Sequence, residues 1–231
     1  MPEARLSLPP IEVLKKVPLF ACLPEADLNA FAELVRERSY PRGSVILFED
    51  DQGDSLYLLA AGQVKVVLIG EEGREVILSV LREGSFFGEM ALLDDQPRSA
   101  HVIAMEDANL LVLRREDFQA RLRQSPEVAI ALLRELSRRL RRADEKIGSL
   151  VLLDVNGRVA DLLLRMADEE GGQRITRRLT HHVIAQMIGS SRETVSRTMR
   201  DFVEQGWIQV ARKEIQLLDR PALDHAAGRS S

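Results

Sequence analysis

The 231 residues include 45% hydrophobic but only 4% aromatic side chains, with a formal net charge of −4 at pH 7. That length predicts two domains rather than one, the apolar content supports real cores, and the scarcity of rings argues against a single-strand binder that stacks bases. The lone Cys22 excludes a disulfide framework, a cysteine zinc site and a cluster held by several thiolates. No apolar run approaches the roughly 18 residues of a membrane span and no signal peptide opens the chain, so the expectation is a cytoplasmic protein with no membrane partner.

Residues 10–38 read as helices, with Pro24 at a helix start and Leu28, Phe31, Ala32, Leu34 and Val35 at helical spacing. From Tyr40 onward glycines recur every eight to ten residues between β-rich runs: 45–48, 56–59, 64–69, 76–81 and 110–113. Short strands at that spacing predict an antiparallel sandwich or jelly-roll barrel. Within it lies Phe87-Gly88-Glu89-Met90-Ala91-Leu92, then Pro97-Arg98-Ser99-Ala100. An anionic phosphate is held by backbone N–H groups, a guanidinium and a hydroxyl, which Gly88, Arg98 and Ser99 supply; a ribose hydroxyl needs an acceptor, which Glu89 supplies. The residues alone fit equally well a Glu89–Arg98 ion pair closing a surface loop. His101, just beyond, reads as an exposed strand histidine rather than a haem ligand.

Pro126 opens a helix in which Leu133, Leu136, Leu140, Ala143, Ile147 and Leu150 repeat at alternating spacings of three and four. So narrow a seam, flanked by charges, predicts a parallel coiled coil across a homodimer; a helix packed on its own core is the alternative. Asp154 is placed to cap the next helix after a break at 153–158, where a hinge is expected. That helix buries Val159, Leu162, Leu163 and Met166. A polar turn follows at 168–173, and the tail from Arg220 reads as frayed.

Between Arg174 and Lys213 stand eight basic and three acidic side chains, a net of +5 in a chain that is acidic as a whole. Such a patch fits phosphate contact, although solvated faces share the composition. Here Ile184, Ala185 and Ile188 form one packing face, Gly189 suits a tight turn, and Ser190 or Ser191 caps a second helix, Ser190 and Glu193 having capping-box spacing. Val195, Met199 and Phe202 bury that second helix and leave Arg192, Glu193, Ser196 and Arg197 outward. The pattern fits a helix-turn-helix, with an ordinary helical hairpin as the alternative.

The segment Phe87–Ala100 resembles the phosphate-binding cassette of cyclic-nucleotide-binding domains. The string from Ile184 to Arg197, and the order of the parts over residues 12–218, closely resemble the Crp–Fnr family of transcription regulators. The resemblance implies an α+β chain: a cyclic-nucleotide-binding jelly-roll barrel at 12–125, a dimerisation helix and hinge at 126–153, and a winged helix-turn-helix at 154–222 with strands at 208–210 and 215–217. It implies Gly88, Glu89, Met90, Arg98 and Ser99 as nucleotide ligands, with Ala143 and Asp144 standing where catabolite activators carry a Thr-Ser pair that reads adenine. On the DNA side it implies Thr180, His181, His182, Ser191, Arg192, Glu193, Thr194, Ser196 and Arg197, half-sites close to TGTGA, and RNA polymerase as a partner.

The effector so implied is a cyclic nucleotide, cAMP first. Asp144 accepts from adenine or from guanine, so cGMP stays open. The same fold acting without nucleotide, or responding to cyclic di-GMP, is the runner-up; a nucleotide-binding regulatory module without DNA function is a different class. The chain shows no phosphate loop with Lys-Thr, no nucleophile elbow and no metal-spaced histidines, since His181 and His182 diverge on a helix. Neither an enzyme nor a metal site is expected.

Overall fold

The computed structural model describes residues 9–21, 23–177, 179–211 and 214–229. Cys22, Arg178, Arg212 and Lys213 lie outside the described residues, so the expectations that use them rest on the sequence alone. The chain divides into two units, Met1–Arg139 and Leu140–Ser231.

The first unit opens with α1 (Pro10–Lys16) and α2 (Glu25–Ala32). Eight strands follow: β1 (Arg36–Tyr40), β2 (Val45–Leu47), β3 (Ser55–Ala61), β4 (Gln63–Ile69), β5 (Glu75–Arg82), β6 (Phe86–Phe87), β7 (His101–Ala104) and β8 (Ala108–Arg114). The one-turn α3 (Met90–Leu93) separates β6 from β7, and α4 (Arg115–Gln124) leads to α5 (Pro126–Leu152). The strands form two antiparallel four-stranded sheets, ordered β1-β8-β3-β6 and β2-β7-β4-β5.

The strand β3 shows why this sequence makes layers. Its side chains alternate between two cores: Tyr57 and Leu59 face the space between the sheets, while Leu56, Leu58 and Ala60 pack with Val13, Leu14, Phe31 and Phe118 of the helices and with Phe20 of the turn between α1 and α2. A strand buried on both faces reads as an unbroken apolar run. β6 splits likewise, Phe86 to the helices and Phe87 to the inter-sheet core, where Phe87 stacks on Tyr57 at 5.3 Å.

In the first unit two expectations from the sequence need correction. Residues 36–38 are strand, not helix: β1 runs along β8 with Arg36 opposite Val112 and Tyr40 opposite Ala108. Its side chains are mostly exposed, so no period-two pattern marks it, and the partner strand decides its conformation. His101 is half-buried rather than exposed; its Nδ1 accepts from the Glu49 N–H at 3.2 Å, and Nε2 lies 3.5 Å from the Glu49 carboxylate.

The helix α5 begins in the core of the first unit through Val128 and Leu132. Farther along, Leu133 and Leu140 are each 63% exposed and Ile147 is 59% exposed. An apolar stripe this bare in the single chain agrees with the expected seam, although Leu136 is partly packed against the core cluster of the first unit.

The second unit has its own core, built on α6 (Val155–Glu169), β9 (Arg174–Ile175), α7 (His181–Ile188), α8 (Arg192–Glu204), β10 (Ile208–Val210), β11 (Ile215–Leu217) and α9 (Arg220–Ala226). Asp154 caps α6 as expected, accepting from the Gly157 N–H at 2.8 Å. The two wing strands are present, and β9 joins them in the order β10-β11-β9. The tail is not frayed at Arg220. Asp219 accepts from the Ala222 N–H, Pro221 stands in the first turn, and Leu223 is fully buried in the core with the α6 side chains. The approach of α9 to α6 is close enough that a Cβ on Gly157 would lie 2.8 Å from the Ala226 carbonyl oxygen. Among the described residues no helix is long and apolar enough to cross a membrane.

Candidate functional site

The cassette is organised around one buried guanidinium. Arg98 is only 4% exposed; its Nη1 donates to the Gly88 carbonyl at 2.5 Å and its Nη2 to the Ser55 carbonyl at 2.8 Å. Gly88 has φ +83°, and a Cβ there would lie 2.6 Å from Arg98 Nη1. Glycine is thus required twice, by the left-handed backbone and by the room the guanidinium needs. Burial holds the Arg98 pKa below the usual guanidinium value, with Tyr57, Asp54 and Glu89 pulling the other way; a guanidinium titrates so high that the group stays cationic.

Glu89 is 3% exposed and leaves its carboxylate free of helix capping. Its Oε1 accepts from Arg139 Nη1 at 3.0 Å. The Glu89–Arg98 pairing that would close a surface loop is therefore not formed: both groups are buried and each is engaged elsewhere. Arg139 also donates to the Phe86 carbonyl at 2.7 Å, pairs with Glu135 at 3.3 Å and lies over the Phe86 ring. Sequence spacing marked Arg139 only as a flanking charge of the seam. Fifty residues separate it from Glu89, so no local pattern could connect them.

Two buried atoms lack a partner among the described residues, Glu89 Oε2 and Arg98 Nε. One is an anionic acceptor and the other a cationic donor. Buried groups of that kind are seldom left unpaired, and they match the hydroxyl donor of a ribose and the oxygens of a phosphate. The cassette fits the cyclic nucleotide that the sequence implies. Ser99 and Met90 are exposed beside it, with the Ser99 hydroxyl 3.7 Å from the Met90 sulfur. Ala143 and Asp144 stand exposed on α5, in the other unit.

In that unit the turn between α7 and α8 is built as the sequence requires. Thr180 caps α7, its Oγ1 accepting from the Val183 N–H at 3.2 Å. Gly189 ends α7 in the left-handed conformation, φ +66°, and Ile184, Ala185 and Ile188 are buried. The cap of α8 is Ser191, which accepts from the Thr194 N–H at 3.1 Å and exchanges a 3.0 Å contact with the Thr194 hydroxyl. With Ser191 as cap, the third helical residue is Thr194, so the Ser190–Glu193 capping box does not form. The buried face of α8 includes Thr198 as well as Val195, Met199 and Phe202; the Thr198 hydroxyl donates to Asn156 Oδ1 at 2.7 Å, fixing α8 on α6.

The opposite face of α8 carries Arg192, Glu193 and Arg197, all exposed and without a side-chain ion pair among the described residues. Ser196 and His181 are half-buried, and Thr180 and His182 are exposed. Not every basic side chain of this unit is available. Arg177 is held by Glu169 and Glu170 and donates to the Met166 carbonyl. Burial works to raise the Glu170 pKa, but hydrogen bonds from Thr176 and Arg177 overcome it and pull the group down to about 2. Among the described residues no three His, Cys, Asp or Glu side chains group as a metal site.

Comparison with known proteins bears on both sites. The family model described as the cyclic nucleotide-binding domain matches residues 37–125, and that of the Crp-like helix-turn-helix domain matches 157–226. The chain is 33% identical over 221 residues to a CRP-like cAMP-activated global transcriptional regulator of Mycobacterium tuberculosis, covering 94% of this chain and 99% of the relative. It is 36% identical over 214 residues to a cyclic AMP receptor protein of Thermus thermophilus, covering 93% and 98%. In fold it is similar to FixK2 from Bradyrhizobium japonicum, with a TM-score of 0.75 at 23% identity over 85% of this chain and 99% of that one. The curated relatives are transcription regulators, not enzymes.

Proposed function

The chain belongs to the Crp-like family of transcription regulators bearing a cyclic nucleotide-binding domain, and on that premise we propose that a cyclic nucleotide, cAMP before cGMP, controls its binding to palindromic TGTGA-like DNA as a homodimer. The observation that carries the nucleotide half is the unpartnered buried pair, Glu89 Oε2 and Arg98 Nε. Ribose donates to the first; phosphate accepts from the second and from the Ser99 hydroxyl. The names of the relatives in M. tuberculosis and T. thermophilus, both tied to cAMP, favour that nucleotide. Asp144 is assigned to purine choice: an acceptor-only carboxylate is offered two adjacent donors by guanine and one by adenine.

The DNA half rests on α8. Arginine suits the O6 and N7 acceptors of guanine, and glutamate accepts from the cytosine amino group. Arg192, Glu193 and Arg197 occupy the first turns of the helix, the part of a recognition helix that meets base edges. Thr180, His181 and Ser191 are assigned to phosphate contact and register, and His182, Thr194 and Ser196 complete the DNA-binding set. A two-fold dimer through the α5 seam presents two copies of α8 to half-sites about 34 Å apart. RNA polymerase is the expected partner on the promoter. The nucleotide acts by binding one arrangement of the dimer more tightly than another.

Calorimetric titration with cAMP, cGMP and cyclic di-GMP, followed by anisotropy on a TGTGA-N6-TCACA duplex with and without the ligand that binds, tests the whole reading. A cyclic mononucleotide that binds and tightens DNA affinity is the expected result. Binding by cyclic di-GMP alone, or nucleotide-independent DNA binding, refutes it. Repeating the titration on Asp144→Ser shows whether that residue biases the purine, since an unchanged AMP-to-GMP ratio removes it from the site.

A further inference from the structure

The helix α3 is a single turn, so its C-terminal carbonyls lack intrahelical partners. α4 supplies the donors. Arg115 Nη2 donates to the Ala91 carbonyl at 2.8 Å and to the Gly53 carbonyl at 2.6 Å, while Nε reaches Gly53 at 3.1 Å. The Nη1 of the same guanidinium pairs with Asp95, whose left-handed backbone, φ +57°, lies just past α3. One helical turn along α4, Gln119 Nε2 donates to the Leu92 carbonyl at 2.8 Å. The Arg115 N–H itself donates to the Asp54 carbonyl at 2.8 Å.

One of these acceptors, Gly53, lies against Arg98. A Cβ on Gly53 would lie 2.5 Å from the Ala91 Cβ and 3.1 Å from the Arg98 Cζ. Gly53 is thus pressed against both α3 and the guanidinium. One fork of donors holds the helix on one side and the 53–54 segment on the other. Neither Arg115 nor Gln119 belongs to the cassette sequence.

We propose that Arg115, assisted by Gln119, is a positioning residue of the nucleotide site: it fixes α3 and the Gly53 backbone so that the Arg98 guanidinium stands where a phosphate must find it. This rests on the nucleotide reading of the cassette. The geometry asks for a planar fork. A lysine offers a compact charge with no fixed donor directions, so it serves the Asp95 carboxylate but not two carbonyls at once.

The test compares full-length wild type with Arg115→Met, Arg115→Lys and Gln119→Met. Amide exchange in the nucleotide-free protein should quicken at 92–95 in Arg115→Met, while amides of β3 and β8 keep their protection. Titration with cAMP and cGMP should show affinity falling at least about tenfold in Arg115→Met, less in Gln119→Met, with partial recovery in Arg115→Lys. Wild-type exchange at 92–95 together with wild-type affinity in Arg115→Met overturns the inference. Loss of protection throughout β3 and β8 in all three variants also overturns it, because Arg115 would then support the barrel generally. If wild type binds neither nucleotide, the cassette reading fails and takes the positioning role with it, while the exchange result still reports whether Arg115 holds α3.

Discussion

The two candidate sites put charged side chains to opposite use. In the cassette, Glu89 and Arg98 are almost wholly buried, held by Arg139 and by two backbone carbonyls, with one atom of each left unpartnered among the described residues. On α8, Arg192, Glu193 and Arg197 are exposed and unengaged among the described residues. Burying a charge costs several kcal/mol unless partners surround it, so the cassette must be built before its ligand arrives. Such a site suits a small anion that can be enclosed. Exposed charges cost little to maintain and are ordered only when a large, flat, charged partner removes their water. A charge lost from the first site should damage ligand binding and local structure together; a charge lost from the second should leave the fold alone.

The sharpest way to break this contrast is Arg98→Leu. It removes a guanidinium whose charge-assisted hydrogen bonds are each worth about 1.5–3 kcal/mol and orphans the Gly88 and Ser55 carbonyls. Nucleotide affinity should fall at least about tenfold and local exchange near 88–98 should rise, with the second unit unaffected. Equal titration curves for mutant and wild type would sink the assignment. Leu140→Glu comes next: two carboxylates across the proposed seam cost several kcal/mol in desolvation. Sedimentation should show monomer and DNA affinity should collapse, and a mutant that stays dimeric moves the interface elsewhere.

Arg197→Ala should cost about 1–3 kcal/mol on the cognate duplex and relax preference at one guanine, with no change in thermal midpoint. A stability loss equal to the binding loss would erase the distinction between the sites. Thr198→Val lies between the two kinds. It deletes the buried bond to Asn156, and the urea midpoint should report about 1 kcal/mol.

The last prediction concerns Glu170, whose carboxylate ties up Arg177. Its pKa is held at about 2 against an ordinary 4.5. A depressed carboxylate stabilises the fold above its unfolded pKa and loses that contribution as pH falls through the folded value. The stability advantage of wild type over Glu170→Gln should therefore be full above pH 4.5 and fade towards pH 2, as followed by chemical denaturation. An advantage that persists undiminished at the acid end would place its source outside this network.

Much of the architecture was legible because it rests on local rules. Glycine-punctuated apolar runs announced β2 to β5 and β8, the Asp154 cap announced α6, and Gly189 between two apolar faces announced α7 and α8. The elements that escaped have weak local signals: β1 is an exposed edge strand, β6 and β9 are two residues each, and α4 buries a single phenylalanine. The α9 signal, an Asp followed by Pro and a buried leucine, was present and simply outweighed by its place at the chain end.

The sequence by itself nominated the side chains of the two candidate sites, since the glycine, the carboxylate and the arginines lie within short segments whose chemistry is readable there. Only the tertiary structure decided how they are held. Glu89 meets Arg139 from fifty residues away, Arg98 turns to the carbonyls of Gly88 and Ser55, and Arg115 reaches back to Gly53, Ala91 and Asp95. Local patterns carry propensity, caps and periodicity. A buried polar group, by contrast, is satisfied by whatever the packed fold brings within hydrogen-bond reach, and chain separation contains no record of that.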